Sequence, residues 1–366
     1  MTDVNTRTPP ASARLDDLPG YGRGRAGQAQ AFGHRLGSNE APDAPSPAIL
    51  NAAMAALAQG NRYPDLRGET LAGALARRHG VEPDMVAVAA GSIVLLDQII
   101  RAWCDPGDEV VAPWRSYEAY PIIAGLAGAR LVQTPLDNEH RTDPAAICAA
   151  IGPRCRVVIL CNPNNPTGTA LDAGELDALI AALPADVLVV LDEAYADYAD
   201  DAATVAASPA RRLARYGNLA ILRTFSKAWG LAGLRAGYCV ADPGIVSALH
   251  AVAPPFPLPG PVAATALAAL DAPQVVEARV KANAAECGRM MSGLRALGFP
   301  VAESRANFLW LAVREQAVAL TAHFSDAGVA VRCFANEGVR ITTGDDADTA
   351  AVLAAAAAWR AIQERT

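Results

Sequence analysis

The sequence predicts an α/β fold: a large domain with a mostly parallel sheet flanked by helices, followed by a smaller α+β domain. Three observations carry this. Short apolar runs alternate with helical stretches from about residue 39 to 250, the pattern of parallel strands buried on both faces by crossover helices. Pro254-Pro-Phe-Pro-Leu-Pro-Gly-Pro261 then interrupts the chain with a proline-dense hinge through which no helix can run. Beyond the hinge, long helices enclose only a few short strands. A length of 366 residues suits about two such domains.

Residues 1–38 are rich in Gly, Pro, Arg and Ala without periodicity, an arm rather than a domain. Within it, Gly22-Arg-Gly24-Arg-Ala-Gly27 matches the dinucleotide fingerprint G-x-G-x-x-G, yet no strand precedes it and no helix follows, so it carries no nucleotide site. Residues 39–250 form the large domain. Helices are predicted over 48–58, 69–79, 93–103, 117–127, 144–151 and 173–183, and strands over 85–90, 109–112, 129–134, 156–161, 187–191 and 219–223. Residues 251–366 form the small domain, packed with the arm. Its helical stretch over 261–297 breaks near Asp271-Ala-Pro273; strands follow over 307–311, 329–332 and 339–342, with helices near 315–326 and 346–362.

Composition excludes several classes. Hydrophobic content of 52% with 19% charged residues is globular, not disordered. A formal charge of −7 without a basic run argues against nucleic acid or anionic membrane as a partner. Seven cysteines, at 104, 148, 155, 161, 239, 287 and 333, contain no C-x-x-C pair, so neither a metal site nor a dithiol is expected. Their scatter suits reduced thiols. The amino terminus lacks the apolar core of a signal peptide, and no apolar run is long enough to span a bilayer. A cytoplasmic protein is expected.

Three polar segments leave successive predicted strands, at the sheet edge where ligands collect in open α/β folds. Cys161-Asn-Pro-Asn-Asn-Pro-Thr-Gly168 is built of turn formers. Asp192-Glu-Ala-Tyr195 delivers a carboxylate at a strand tip, where a helix cap is the ordinary use. Arg223-Thr-Phe-Ser-Lys227 places one lysine behind two hydroxyls. Each has a bland explanation alone; at adjacent strand ends they point to one site. A lysine that can be desolvated, beside a carboxylate, a phenol and an amide, suits a carbonyl cofactor held through an imine, as pyridoxal phosphate is. Its ring requires an acid partner, and its phosphate requires N–H groups, hydroxyls and an arginine.

The chain resembles a fold-type I (class II) pyridoxal-phosphate aminotransferase of the histidinol-phosphate aminotransferase family. The likeness is carried by Ser38-Asn39-Glu40, Asn61-Arg-Tyr63-Pro-Asp, Gly91-Ser92, Trp114-Arg-Ser-Tyr117-Glu-Ala-Tyr120, Asn162 to Gly168, Asp192 to Tyr195, Thr224 to Arg235, Ala306-Asn307-Phe308, Arg332 and Gly338-Val-Arg340. It implies that Lys227 carries the cofactor and acts as general base and acid, Asp192 pairs with the ring nitrogen, and Tyr195 and Asn165 bond the ring oxygen. Tyr117 stacks on the ring. Ser92, Ile93, Thr224, Ser226 and Arg235 hold the phosphate, joined by Tyr63 across a homodimer with shared sites. Arg340 anchors substrate anions bidentately, Arg332 assists, and Asn39 and the arm's Tyr21 complete the substrate contacts. Where relatives carry Tyr-x-Pro-Gly in the arm, this chain has Pro19-Gly20-Tyr21-Gly22.

Local strings select the donor. Trp114-Arg-Ser-Tyr117, Arg223-Thr-Phe-Ser-Lys227 and Asn307-Phe-Leu-Trp310 are closest to the family's aromatic-amino-acid branch, and Pro255-Phe256-Pro257 replaces the Pro-Tyr-His common in histidinol-phosphate enzymes. The expected reaction is ping-pong transfer of an amino group from an aromatic amino acid to 2-oxoglutarate. Histidinol phosphate, the donor of histidine biosynthesis, is the alternative. A decarboxylase or lyase on the same scaffold ranks below both, and the arm is too short and irregular for a DNA-binding module.

Overall fold

The computed structural model describes residues 11–12, 15–16, 18–20, 32–199 and 208–364. Tyr21 and the Gly22 to Gly27 string lie outside the described residues. The strands, in chain order, are β1 (His34–Arg35), β2 (Val86–Ala89), β3 (Glu109–Trp114), β4 (Arg130–Pro135), β5 (Cys155–Cys161), β6 (Leu188–Asp192), β7 (Leu219–Thr224), β8 (Gly237–Ala241), β9 (Phe308–Leu311), β10 (Val329–Ala330), β11 (Arg332–Phe334) and β12 (Gly338–Thr342). The helices are α1 (Pro47–Leu57), α2 (Glu69–His79), α3 (Ser92–Trp103), α4 (Tyr120–Leu126), α5 (Pro144–Ala149), α6 (Ala173–Ala182), α7 (Pro209–Leu213), α8 (Pro243–Val252), α9 (Gly260–Leu270), α10 (Pro273–Ala296), α11 (Ala317–Asp326) and α12 (Asp346–Gln363).

Strands β2 to β8 form one sheet in the order β2-β8-β7-β6-β5-β3-β4. Pairings among β3 to β7 are parallel. Strand β8 is antiparallel to both neighbours, β2 and β7, and was not among the predicted strands. It begins immediately after the polar stretch that the sequence assigns to a ligand, which hid its apolar run. Residue 237 has to be glycine: a Cβ there would lie 2.1 Å from the Ser92 amide nitrogen, so only glycine lets the start of α3 approach the sheet.

The period-two alternation of the strands decides what reaches the site. Val157 and Ile159 of β5, Val190 of β6 and Leu222 of β7 pack on the face covered by Leu95, Leu96, Ile99 and Ile100 of α3. Val158, Leu160, Val189, Leu191 and Ile221 face the other way, onto Leu176, Leu179 and Ile180 of α6. Continuing the first set by parity brings Cys161, Asp192 and Thr224 to the strand tips on the α3 face. Glu193 is turned the opposite way, where its fully buried carboxylate accepts from Arg212 (3.0 Å) and from Arg223 (2.8 and 2.7 Å). Removing one partner from a buried ion cluster leaves charge uncompensated. Glu193→Gln is therefore expected to cost about 3 kcal/mol, read by denaturant unfolding.

The helix predicted over 117–127 begins only at Tyr120, with proline in its first turn, the position proline favours; residues 117–119 stay in a turn beside the site. The break expected near Asp271-Ala-Pro273 separates α9 from α10. In the smaller domain β11, β12 and β9 form an antiparallel sheet. Leu309, Leu311, Val339 and Ile341 pack against Met290, Leu320, Phe324, Val352 and Trp359 of α10, α11 and α12. Strand β1 runs parallel to β10, and Leu36 enters this same core, its amide and carbonyl bonded to Ala330 and Thr342 (both 2.8 Å). Among the described residues no helix is long and apolar enough to cross a membrane.

Candidate active site

Strands β5, β6 and β7 end side by side, and α3 starts at the same edge. A cavity of about 560 Å³ lies between this edge, residues 37–40 and the β11–β12 hairpin. It is lined by Ser92, Ile93, Tyr117, Asn165, Asp192 and Tyr195, by Thr224, Ser226, Lys227 and Arg235, and by Asn39, Arg332 and Arg340. Tyr63 lies outside it, 83% exposed, its ring stacked 4.5 Å from that of Phe256.

Lys227 sits three residues beyond the end of β7, and its Nζ donates to the carbonyls of Ser38 and Asn39 (both 3.3 Å). Removal from bulk water lowers its pKa to about 7, with Arg340 and Arg235 pushing the same way and Glu40 and Asp192 opposing. At pH 7 about half of this amine is neutral, against roughly one in three thousand for an ordinary lysine.

Asp192 ends β6 and is buried. Its Oδ2 accepts from the Tyr120 hydroxyl (2.7 Å) and its Oδ1 from the Ala194 amide (3.2 Å). Burial raises its pKa; the Tyr120 and Ala194 hydrogen bonds and the Lys227 charge act the other way. Sequence alone does not assign Tyr120 this task, because 72 residues separate the two partners. Its position three residues after Tyr117, at a helix start, is the only local hint. The rings of Tyr117 and Tyr120 meet edge to face at 5.6 Å.

The Tyr195 hydroxyl accepts from Asn39 Nδ2 (2.9 Å), and burial raises its pKa. Asn39 is held in the left-handed region (φ 56°), which asparagine tolerates. Its amide donates to Thr342 Oγ1 (2.9 Å), which donates back to Asn39 Oδ1 (3.0 Å), and Asn307 Nδ2 donates to the Asn39 carbonyl (3.2 Å). The three asparagines after β5 divide their work. Asn162 exchanges hydrogen bonds with the backbone of Leu171 (3.1 and 2.8 Å), and Asn164 ties Ser116, the Arg115 carbonyl and Thr167 together. Only Asn165 of the three lines the cavity, its Oδ1 accepting from Arg340 (2.6 Å).

At the other end, Thr224 Oγ1 donates to Ser226 Oγ (2.9 Å), and Arg235 Nη1 donates to the same Ser226 oxygen (3.2 Å). Arg235 lies at φ 57° and Gly91 at φ 99°; a Cβ on Gly91 would come within 2.8 Å of the Arg235 guanidinium. A bare glycine, a helix N-terminus, two hydroxyls and a guanidinium make a cradle for a phosphate. Arg340 is buried and also donates to the Gly37 carbonyl (2.6 Å). Arg332 stands opposite it in the β11–β12 register and donates to Glu118 Oε2 (2.7 Å). Trp229 is buried against Phe225, and its Nε1 donates to Asp197 (3.2 Å).

A phosphorylated pyridine aldehyde fits this donor set: an amine near neutrality for the aldehyde, a buried carboxylate for the ring nitrogen, and the cradle for the phosphate. Comparison with known proteins agrees. Residues 34–356 match the family described as aminotransferase class I and II. The chain is 42% identical over 355 residues to the aromatic amino acid aminotransferase of Rhodococcus jostii strain RHA1, covering 97% of each. It is 43% identical over 349 residues to that of Thermobifida fusca strain YX, covering 94% of this chain and 96% of the relative. Histidinol-phosphate aminotransferase from Sinorhizobium meliloti, solved in complex with pyridoxal-5'-phosphate, superposes with a TM-score of 0.90 at 29% identity, covering 98% of this chain and 99% of that one. The chain belongs to the class I and II aminotransferases, and it is a pyridoxal-phosphate-dependent transaminase that works on an amino acid and a 2-oxo acid.

Proposed function

We propose that this transaminase takes its amino group from an aromatic amino acid and gives it to 2-oxoglutarate. The observation that carries the chemistry is Lys227, held near neutrality at a strand-end cavity beside buried Asp192. The donor class is supported by the names of relatives sharing about two-fifths of their residues with this chain.

Bound pyridoxal phosphate supplies an aldehyde for exchange with amines and a ring that accepts the electrons of a broken Cα–H bond. Ser92, Ile93, Thr224, Ser226 and Arg235 would hold its phosphate, Tyr117 would cover its ring, and Tyr195 and Asn165 would donate to its ring oxygen. Asp192 would keep a proton at the ring nitrogen; a cation facing the carboxylate favours its ionised form over the neutral form that burial alone prefers. Lys227 Nζ would take the substrate Cα proton as general base and return it as general acid. Arg340 would grip the substrate carboxylate, with Arg332 and Asn39 beside it.

The reading includes a homodimer with shared sites. Leu50, Met54 and Leu57 recur at helical spacing on the exposed face of α1, and Tyr63, Leu66 and Phe256 are exposed too. Apolar side chains left in water in this number suit an interface, and Tyr63 would reach the partner's phosphate from there. Replacing both Met54 and Leu57 by glutamate is expected to give a monomer by light scattering, with activity lost in parallel. Reduced cysteines, none of them in a disulfide among the described residues, suit a cytoplasmic location.

The donor is tested by comparing phenylalanine, tyrosine and tryptophan with histidinol phosphate, each with 2-oxoglutarate as acceptor. The expected result is a higher kcat/KM for the aromatic amino acids. Histidinol phosphate, the second reading, draws support from the Sinorhizobium meliloti structure, and turnover of it far above all three would reverse the order.

A further inference from the structure

We infer that Tyr120 is a positioning residue for the cofactor ring: its hydroxyl, bonded to Asp192, holds that carboxylate in place and in its ionised form, so that the site selects a ring bearing a protonated nitrogen. This rests on the proposal that Asp192 faces the ring nitrogen.

The described residues that line the cavity include Asp192 but not Tyr120, which acts from behind it. The hydroxyl meets Asp192 Oδ2 at 2.7 Å, with only 1% of Tyr120 and 7% of Asp192 exposed. A donor to a carboxylate withdrawn from water makes one of the stronger hydrogen bonds. The Ala194 amide holds the other oxygen, Oδ1, at 3.2 Å. A donor on each oxygen fixes the plane of the carboxylate, which turns easily about its terminal torsion when held at one. Cys161, beside Asp192 in the β5–β6 register, turns its thiol to the Pro163 carbonyl (3.3 Å).

Tyr120 is itself firmly placed. It is the first residue of α4, its amide donates to the Tyr117 carbonyl (3.0 Å), and its ring packs in the core on the α3 face. Burial and the neighbouring Asp192 charge raise the pKa of the phenol, which therefore keeps its proton as a donor. Its hydrogen bond favours ionised Asp192, against burial, which favours the neutral acid. A protonated ring nitrogen gains from an ionised, fixed carboxylate. A ring with C–H at that position gains nothing and meets a buried charge.

The test titrates apo-protein with pyridoxal phosphate and with its analogue in which C–H replaces the ring nitrogen, and reads the ratio of the two dissociation constants. Wild type is expected to prefer pyridoxal phosphate, and Tyr120→Phe to lower that preference about tenfold, the scale of one hydrogen bond to a charged group. The phenyl ring keeps the packing, and a carboxylate deprived of its donor can take up a proton, so the variant is expected to fold. Asp192→Asn should abolish the preference, and adding Tyr120→Phe to it should change nothing further. A merely structural role would weaken both ligands together. A wild-type ratio in Tyr120→Phe, or an equal further drop in the Asp192→Asn background, would overturn the inference. A wild-type ratio in Asp192→Asn would instead sink the ring-nitrogen reading on which it rests.

Discussion

Lys227→Ala is expected to lower transamination by roughly 10⁴-fold or more, because in the proposed function it removes both the amine that would carry the cofactor and the base that would move the Cα proton. The fold should survive, since among the described residues the side chain's hydrogen bonds go to the carbonyls of Ser38 and Asn39, at 3.3 Å each. A matching pH effect follows from the lowered pKa of about 7. The protonated amine does not attack an aldehyde. The rate at which apo-protein takes up pyridoxal phosphate should therefore rise about tenfold per pH unit below 7 and level off above it. An ordinary lysine would still be gaining at pH 9. Stopped-flow mixing across this range separates the two.

Asp192→Asn is the second large effect, with kcat expected to fall on the order of 10³-fold, the scale of losing one preorganised electrostatic partner of the reacting group. Asparagine keeps an oxygen for the Tyr120 hydroxyl, which is 2.7 Å from the native carboxylate, so the loss should not come from unfolding. The sign of the stability change is itself a check. The folded-state pKa of Asp192 is raised, chiefly by burial, so its ionisation opposes folding once the pH exceeds the unfolded value. The apo form of the Asn variant should thus be at least as stable as wild type at neutral pH. Reduced kcat with undiminished stability assigns Asp192 to the chemistry.

Much of this was legible in the sequence because it depends on order along the chain. Apolar runs mark the strands, and period-two alternation carries Asp192 and Thr224 to one edge. Turn chemistry places Asn165 and Lys227 just past the ends of their strands. What stayed hidden depends on partners distant in sequence. Nothing in residues 114–120 shows that Tyr120 will meet Asp192, or that Glu118 will meet Arg332 from 214 residues away. The division of labour among Asn162, Asn164 and Asn165 is likewise set by what folds around the turn, not by the residues themselves. Strand β8 was missed for a different reason: a ligand loop and a buried strand share the segment around Gly237, and the loop's chemistry masked the strand's pattern.

The central claim, a transaminase built on Lys227, is tested most directly by the absorption spectrum of the purified, cofactor-loaded protein. The account predicts a visible band from pyridoxal phosphate bound to the lysine, bleached by phenylalanine and restored by 2-oxoglutarate, with Lys227→Ala lacking the cycle. A protein that takes up no cofactor, or a Lys227→Ala variant that bleaches and recovers at the wild-type rate, would contradict it.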